Sequence, residues 1–143
     1  MKLRILARVL TPIAAIGLVL ATAGAAEATI KYPVKTVTNG FCIAKLQIDT
    51  DHSGGHDYAK GLFSVDSGIF GDRHCYGWLE TNEGSGYKRV SYVYKTDAAD
   101  KSDATGWHYD GSGYRSRVCV YYTYPVIRVN DPGVSETVCS GSY

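Results

Sequence analysis

Residues Asp49 to Tyr58 read DTDHSGGHDY, setting three aspartates, two histidines and a pair of glycines into ten positions. Read as a calcium loop, Asp49, Asp51, Ser53 and Asp57 stand at the first, third, fifth and ninth ligand positions, with Gly54 at the sixth, where the chain must turn sharply. The twelfth position, which should supply a bidentate carboxylate, is Lys60. A cation in place of that ligand weakens the site, so the stretch has the outline of a degraded calcium loop. His52 and His56 are four apart, a metal-ligand spacing that works on one face of a helix, but Gly54 and Gly55 between them oppose a helix. The plainer expectation is a polar hairpin connection.

Other catalytic signals are sparse. The chain has no G-x-S-x-G elbow, no H-E-x-x-H and no phosphate-cradling glycine loop. Glu83, Arg89, His108 and Arg115 could be assembled into a small secreted hydrolase, yet any chain of this composition offers such a set. His74 adjoins a half-cystine and His108 sits between Trp107 and Tyr109, positions where packing is the commoner role. The expectation is no catalytic residue and no cofactor, with calcium left open.

The elements that must position these residues read as strands. In CIAKLQI, Cys42, Ala44, Leu46 and Ile48 fall on one face and Lys45 and Gln47 on the other, the period of a half-buried strand. It runs directly into DTDHSGGHDY, and YAKGLFSVDSG follows as a second apolar run, so a hairpin is expected there. GWLETNEGSGYKRVSYVYKT (77–96) aligns, with two gaps, with GWHYDGSGYRSRVCVYYT (106–123). The alignment predicts a repeated hairpin with glycine turns. Val90, Tyr92 and Tyr94 would then match Val118, Val120 and Tyr122 on a core-facing side, with a bulge at Arg115–Ser116. Equally, two unrelated hairpins could have chosen similar turns. DAADKSDATG reads as a surface loop and Asn130-Asp131-Pro132-Gly133 as a turn. No helical period stands out, so the expected fold is all-β: a small antiparallel β-sandwich or barrel.

Residues 1–28 carry Lys2, Arg4 and Arg8, then an apolar run, then Ala26-Glu27-Ala28, the pattern of a secretory signal peptide. Its removal leaves 12 basic against 13 acidic residues in 115. Such a balance lacks the basic excess that nucleic-acid binding draws on. The expected organisation is an N-terminal arm, Thr29 to Asn39, followed by a single β domain over 40–143. Cys42, Cys75, Cys119 and Cys139 are an even set in an exported chain and read as two disulfides. Three pairings are open; Cys42 with Cys75 and Cys119 with Cys139 is preferred because each ties strands that are sequence neighbours. Zinc is the competing use, but no C-x-x-C knuckle occurs.

Of 12 tyrosines, Tyr109, Tyr114, Tyr121, Tyr122 and Tyr124 crowd one short window with Trp107. Turned outward, they would make a contact surface for protein or glycan; turned inward, they would fill a sandwich. In the arm, Ile30, Tyr32, Val34 and Val37 alternate loosely around Pro33, as an edge strand of the domain or as a strand added to a partner.

The signal peptide, the spaced cysteines and the stretch DGSGYRSRVCV resemble the small secreted two-disulfide β proteins of actinobacteria. That group includes adaptor subunits of umbrella-type toxin particles. The resemblance implies an extracellular non-enzymatic protein whose arm and tyrosine-rich sheet, Tyr109 and Tyr121 included, contact secreted protein partners. The second expectation is a secreted protease inhibitor presenting the loop around Asn130 to Ser135; the small hydrolase is the third.

Overall fold

The computed structural model describes residues 33–66, 72–97, 102–125 and 133–143. The expected signal peptide (1–28), the first arm residues with Ile30 and Tyr32, and the turn expected at Asn130 to Pro132 lie outside them.

The alternation of the first apolar run does what its period requires. β1 (Lys35–Asn39), β2 (Cys42–Ser53) and β3 (His56–Val65) form an antiparallel meander. Cys42, Ala44, Leu46 and Ile48 are fully buried on one side of it. Asn39 pairs with Cys42 and Ser53 with His56, so both connections are two-residue turns. In the second, Gly54 and Gly55 both take positive φ (62° and 72°), the conformation a tight hairpin needs and only glycine adopts cheaply. The polar stretch is therefore a hairpin tip, with a register irregularity between Asp49 and Ser53.

β4 (His74–Asn82) and β9 (Arg115–Thr123) pair along their whole length, and β10 (Val138–Cys139) flanks β9. Each sheet ends in the same way, one long strand facing two short ones. In sheet A, β3 pairs with β7 (Ser102–Ala104) and with β8 (His108–Tyr109). In sheet B, β4 pairs with β5 (Tyr87–Arg89) and with β6 (Tyr94–Asp97). The result is a two-sheet antiparallel sandwich, not a closed barrel.

The core lies between the sheets, where Leu46, Ile48, Phe63, Leu79, Val118 and Val120 are buried together. Phe63 lies across Gly61 and Gly77, each bare of a side chain where the ring passes. The Cys42–Cys75 disulfide spans β2 and β4 and so joins the sheets, while Cys119–Cys139 joins two paired strands of sheet B. The preferred pairing is the one present.

Four expectations change. The aligned copies do not fold alike: β4 and β5 make a hairpin within sheet B, but β8 pairs with β3 in sheet A and the chain crosses to sheet B before β9. Val118 and Val120 are buried, yet Val90 and Tyr92 are exposed, Tyr92 by 85%. No bulge interrupts β9 at Arg115–Ser116, which pair in regular register with Asn82 and Thr81. The polar stretch 97–106 also contains β7, drawn onto β3 at Leu62–Ser64.

Candidate functional site

At the hairpin tip the polar side chains serve the turn. Asp49 is buried; one carboxylate oxygen accepts the Asp51 N–H at 3.1 Å and the other meets Nδ1 of His52 at 3.0 Å. Asp57 lies on the opposite strand and its carbonyl accepts the Asp110 N–H. Among the described residues, Asp49, Asp51 and Asp57 do not gather their oxygens around a common point. The one such group is Glu80 with Cys119 and Cys139, and there the sulfurs are already bonded to each other.

The same tip builds a ledge of rings on the outer face of sheet A. His52 contacts Trp107 (4.7 Å between centroids) and Tyr58 (5.0 Å). Tyr58 meets Tyr109 edge-on at 5.8 Å, and Tyr109 meets both His56 and Tyr114. Lys60 Nζ stands over the Trp107 ring at 5.5 Å. Register explains the gathering, because Tyr58 is paired with Tyr109 and alternate residues of β3 face outward.

A second aromatic surface occupies the outer face of sheet B. Tyr76 and Tyr121 are paired in register and stack at 4.9 Å with nearly parallel planes; Trp78 meets Tyr121 edge-on at 6.0 Å. Glu80 fixes this surface. Its Oε1 accepts the Trp78 indole N–H at 2.8 Å, and its Oε2 accepts from Arg117 through both Nε and a terminal nitrogen at 2.8 Å. The Arg117 guanidinium lies 3.9 Å from the Tyr87 ring centroid, a cation–π contact. Burial, and secondarily Tyr76, raises the Tyr121 pKa, so its hydroxyl keeps its proton. Tyr109 and Tyr121 thus belong to different sheets.

The arm is part of the domain from Lys35 onward. β1 pairs along its length with β2, and Val34 and Val37 pack partly buried against the core. Asn39 Nδ2 ties β1 across to the other sheet, donating to the Glu136 carbonyl at 2.7 Å and reaching the Val120 carbonyl at 3.3 Å. Among the described residues β1 pairs only with β2, so its outer edge carries unpaired ladder groups.

The hydrolase set spreads over three adjoining depressions: Arg89 borders one with His108 and a second with Glu83, while Arg115 lines a third, between the glycine turns, with Asn82 and Tyr114. Glu83 sits beside Tyr114, whose pKa its carboxylate raises. His74 faces Asp97 at 3.6 Å at the far end of β4. Of the loop around Asn130 to Ser135 only Gly133 to Ser135 are described. Ser135 there faces inward, its Oγ accepting the Tyr122 N–H at 2.9 Å.

The fold and these faces define a disulfide-stapled, two-sheet β-sandwich with aromatic outer surfaces. Its two bridges are consistent with an oxidising compartment. Among the described residues no helix is long and apolar enough to cross a membrane. Comparison with protein-family models, curated proteins and solved structures found no match.

Proposed function

We propose that this chain is a secreted, non-enzymatic binding protein that holds a protein partner against the outer face of sheet B, as a subunit of an extracellular assembly. The observation that carries the reading is the surface of Tyr76, Trp78 and Tyr121 locked by Glu80 and Arg117. Rings and an arginine held in place before contact lose little freedom on binding, and these residue types dominate protein-interface energetics. The unpaired edge of β1 supplies a second contact, where a partner strand could extend sheet A. An adaptor joining larger subunits of a toxin particle, the role implied by the resemblance to actinobacterial secreted proteins, would use both surfaces.

The test is recovery of tagged protein from the medium of its native secreting host, alongside a Tyr76→Ala/Tyr121→Ala variant. A stoichiometric protein partner that accompanies the wild type and is lost from the folded variant is expected. A lone monomer in the wild type rejects the assembly reading, and a partner retained by the variant rejects this face.

A further inference from the structure

Two strands break on the same side of the sandwich, one in each sheet, and both breaks are held open by a hydroxyl. In sheet B the chain leaves β4 between β5 and β6; there the Leu79 N–H donates to Ser91 Oγ at 2.9 Å, while the Leu79 carbonyl accepts from Val90. In sheet A it leaves β3 between β7 and β8; there the Gly61 N–H donates to Thr105 Oγ1 at 3.0 Å, while the Gly61 carbonyl accepts from Thr105. Each side chain replaces a ladder carbonyl, so the backbone stands off the sheet with no buried donor left unpaired.

Between the breaks opens a cleft of about 600 Å³ bordered by Arg89, Tyr92, Tyr94, Trp107 and His108. That volume falls among those of small-molecule sites, about 300–1,000 Å³. Its aromatic groups are set from outside the cleft: Tyr94 stacks on Phe63, and Trp107 is held by His52 and Lys60. Tyr92 stands at the rim almost fully exposed. Burial lowers the His108 pKa, leaving at neutral pH an uncharged imidazole that donates at one nitrogen and accepts at the other.

Among the residues bordering the cleft, Arg89 is the one charged side chain. Arg89 is paired in register with Glu80, but Glu80 is already engaged by Trp78 and Arg117. Among the described residues Arg89 forms no ion pair, and no carboxylate borders the cleft. A peptide strand is a poor complement, because the Leu79 and Gly61 amides that could pair with it are already capped. What remains is an exposed ring, hydrogen-bonding side chains and a spare guanidinium. A pyranose offers an apolar C–H face to a ring, hydroxyls to the polar groups and, when it bears a carboxylate, an anion for the arginine.

We infer that this cleft binds a carboxylate-bearing sugar residue of an extracellular glycan, its ring against Tyr92 and its carboxylate at Arg89. Arg89 adjoins the sheet B face through its pairing with Glu80, but neither Tyr76 nor Tyr121 borders the cleft, so sugar binding there does not depend on the partner proposed for that face. Calorimetric titration of the disulfide-bonded protein with tri-galacturonate, its full methyl ester, sialyllactose and lactose tests the inference. At least one acidic sugar should bind, and its neutral counterpart should bind at least about tenfold more weakly. Whichever acid binds identifies the uronate or sialate source. Arg89→Met should abolish the preference for acid over neutral sugar. Tyr92→Ala, at a position too exposed to disturb the fold, should weaken binding of both. The Tyr76→Ala/Tyr121→Ala variant should bind sugar as the wild type does. Absence of binding by both acids, equal binding of acidic and neutral forms, or indifference to both the Arg89 and Tyr92 substitutions would overturn it.

Discussion

Ser91 Oγ stands 2.9 Å from the Leu79 nitrogen and accepts its hydrogen where a neighbouring strand would otherwise present a carbonyl. This one contact lets β4 change partners from β6 to β5 without leaving a donor unsatisfied, and it shapes the cleft above it. Replacing Ser91 by alanine strands the amide, so Ser91→Ala should cost about 1–3 kcal/mol. Ser91→Thr, which keeps the hydroxyl, should cost less. Urea unfolding checks the energy, and hydrogen exchange at the Leu79 amide checks its origin: protection should fall in the alanine variant and persist in the threonine one.

Gly77 makes room for Phe63. A Cβ built at Gly77 would collide with Cδ1 and Cε1 of the Phe63 ring, which is itself fully buried and stacked on Tyr94. Gly77→Ala should therefore destabilise by about 1–3 kcal/mol through overpacking. Shrinking the ring should relieve part of this, so Gly77→Ala combined with Phe63→Leu should cost less than the sum of the two single changes. Thermal melts of the four proteins in that cycle decide the matter.

The parts legible in the sequence were those governed by local period and turn chemistry. CIAKLQI alternates because one face of β2 is core, and Gly54-Gly55 marks the hairpin because both residues need positive φ. The cysteine pairing followed from neighbouring strands, although Cys42–Cys75 turned out to cross between sheets. VSYVY alternates as well as any strand, yet Ser91 takes the place of a carbonyl and Tyr92 swings into solvent, a substitution that residue types alone do not reveal. The aligned glycine turns concealed a change of sheet, since β8 finds its partner in β3, about fifty residues earlier in the chain. The cleft depends on two such breaks meeting in space, and the aromatic ledges depend on register between distant strands. Neither is encoded in a local motif.

The two disulfides should differ in what their loss costs. Chain entropy alone assigns about 3 to 4 kcal/mol to each, with sequence separations of 33 and 20 residues. Cys42–Cys75 also fills the core and joins the sheets, with both cysteines essentially unexposed. Cys42→Ala/Cys75→Ala should therefore lower the denaturant midpoint further than Cys119→Ala/Cys139→Ala, whose strands remain paired through the β9–β10 ladder. Equal losses from the two pairs would show that the clamp between sheets adds nothing beyond loop closure.

Asp110 carries the pH dependence that can be assigned most directly. It is buried where the turn between β8 and β9 meets the hairpin tip; Ser116 donates to Oδ1 at 2.7 Å, while Oδ2 is buried without a partner. Burial raises its pKa to about 6, the Ser116 hydrogen bond opposes the rise, and the nearby Asp57 charge adds to it. The folded protein therefore holds this proton more tightly than the unfolded chain, whose carboxyl titrates near 3.8. The stabilising contribution is fully present below the unfolded value and is lost as pH rises through about 6, after which the buried charge is a constant penalty. Asp110→Asn keeps an acceptor for Ser116 and removes the charge. Relative to wild type it should gain stability progressively between pH 4 and 6 and hold a gain of about 2 to 3 kcal/mol above that. Urea midpoints of both proteins across this range give the difference directly. A difference that stays flat with pH would mean that Asp110 titrates alike in the folded and unfolded chain and that the orphaned oxygen has found water.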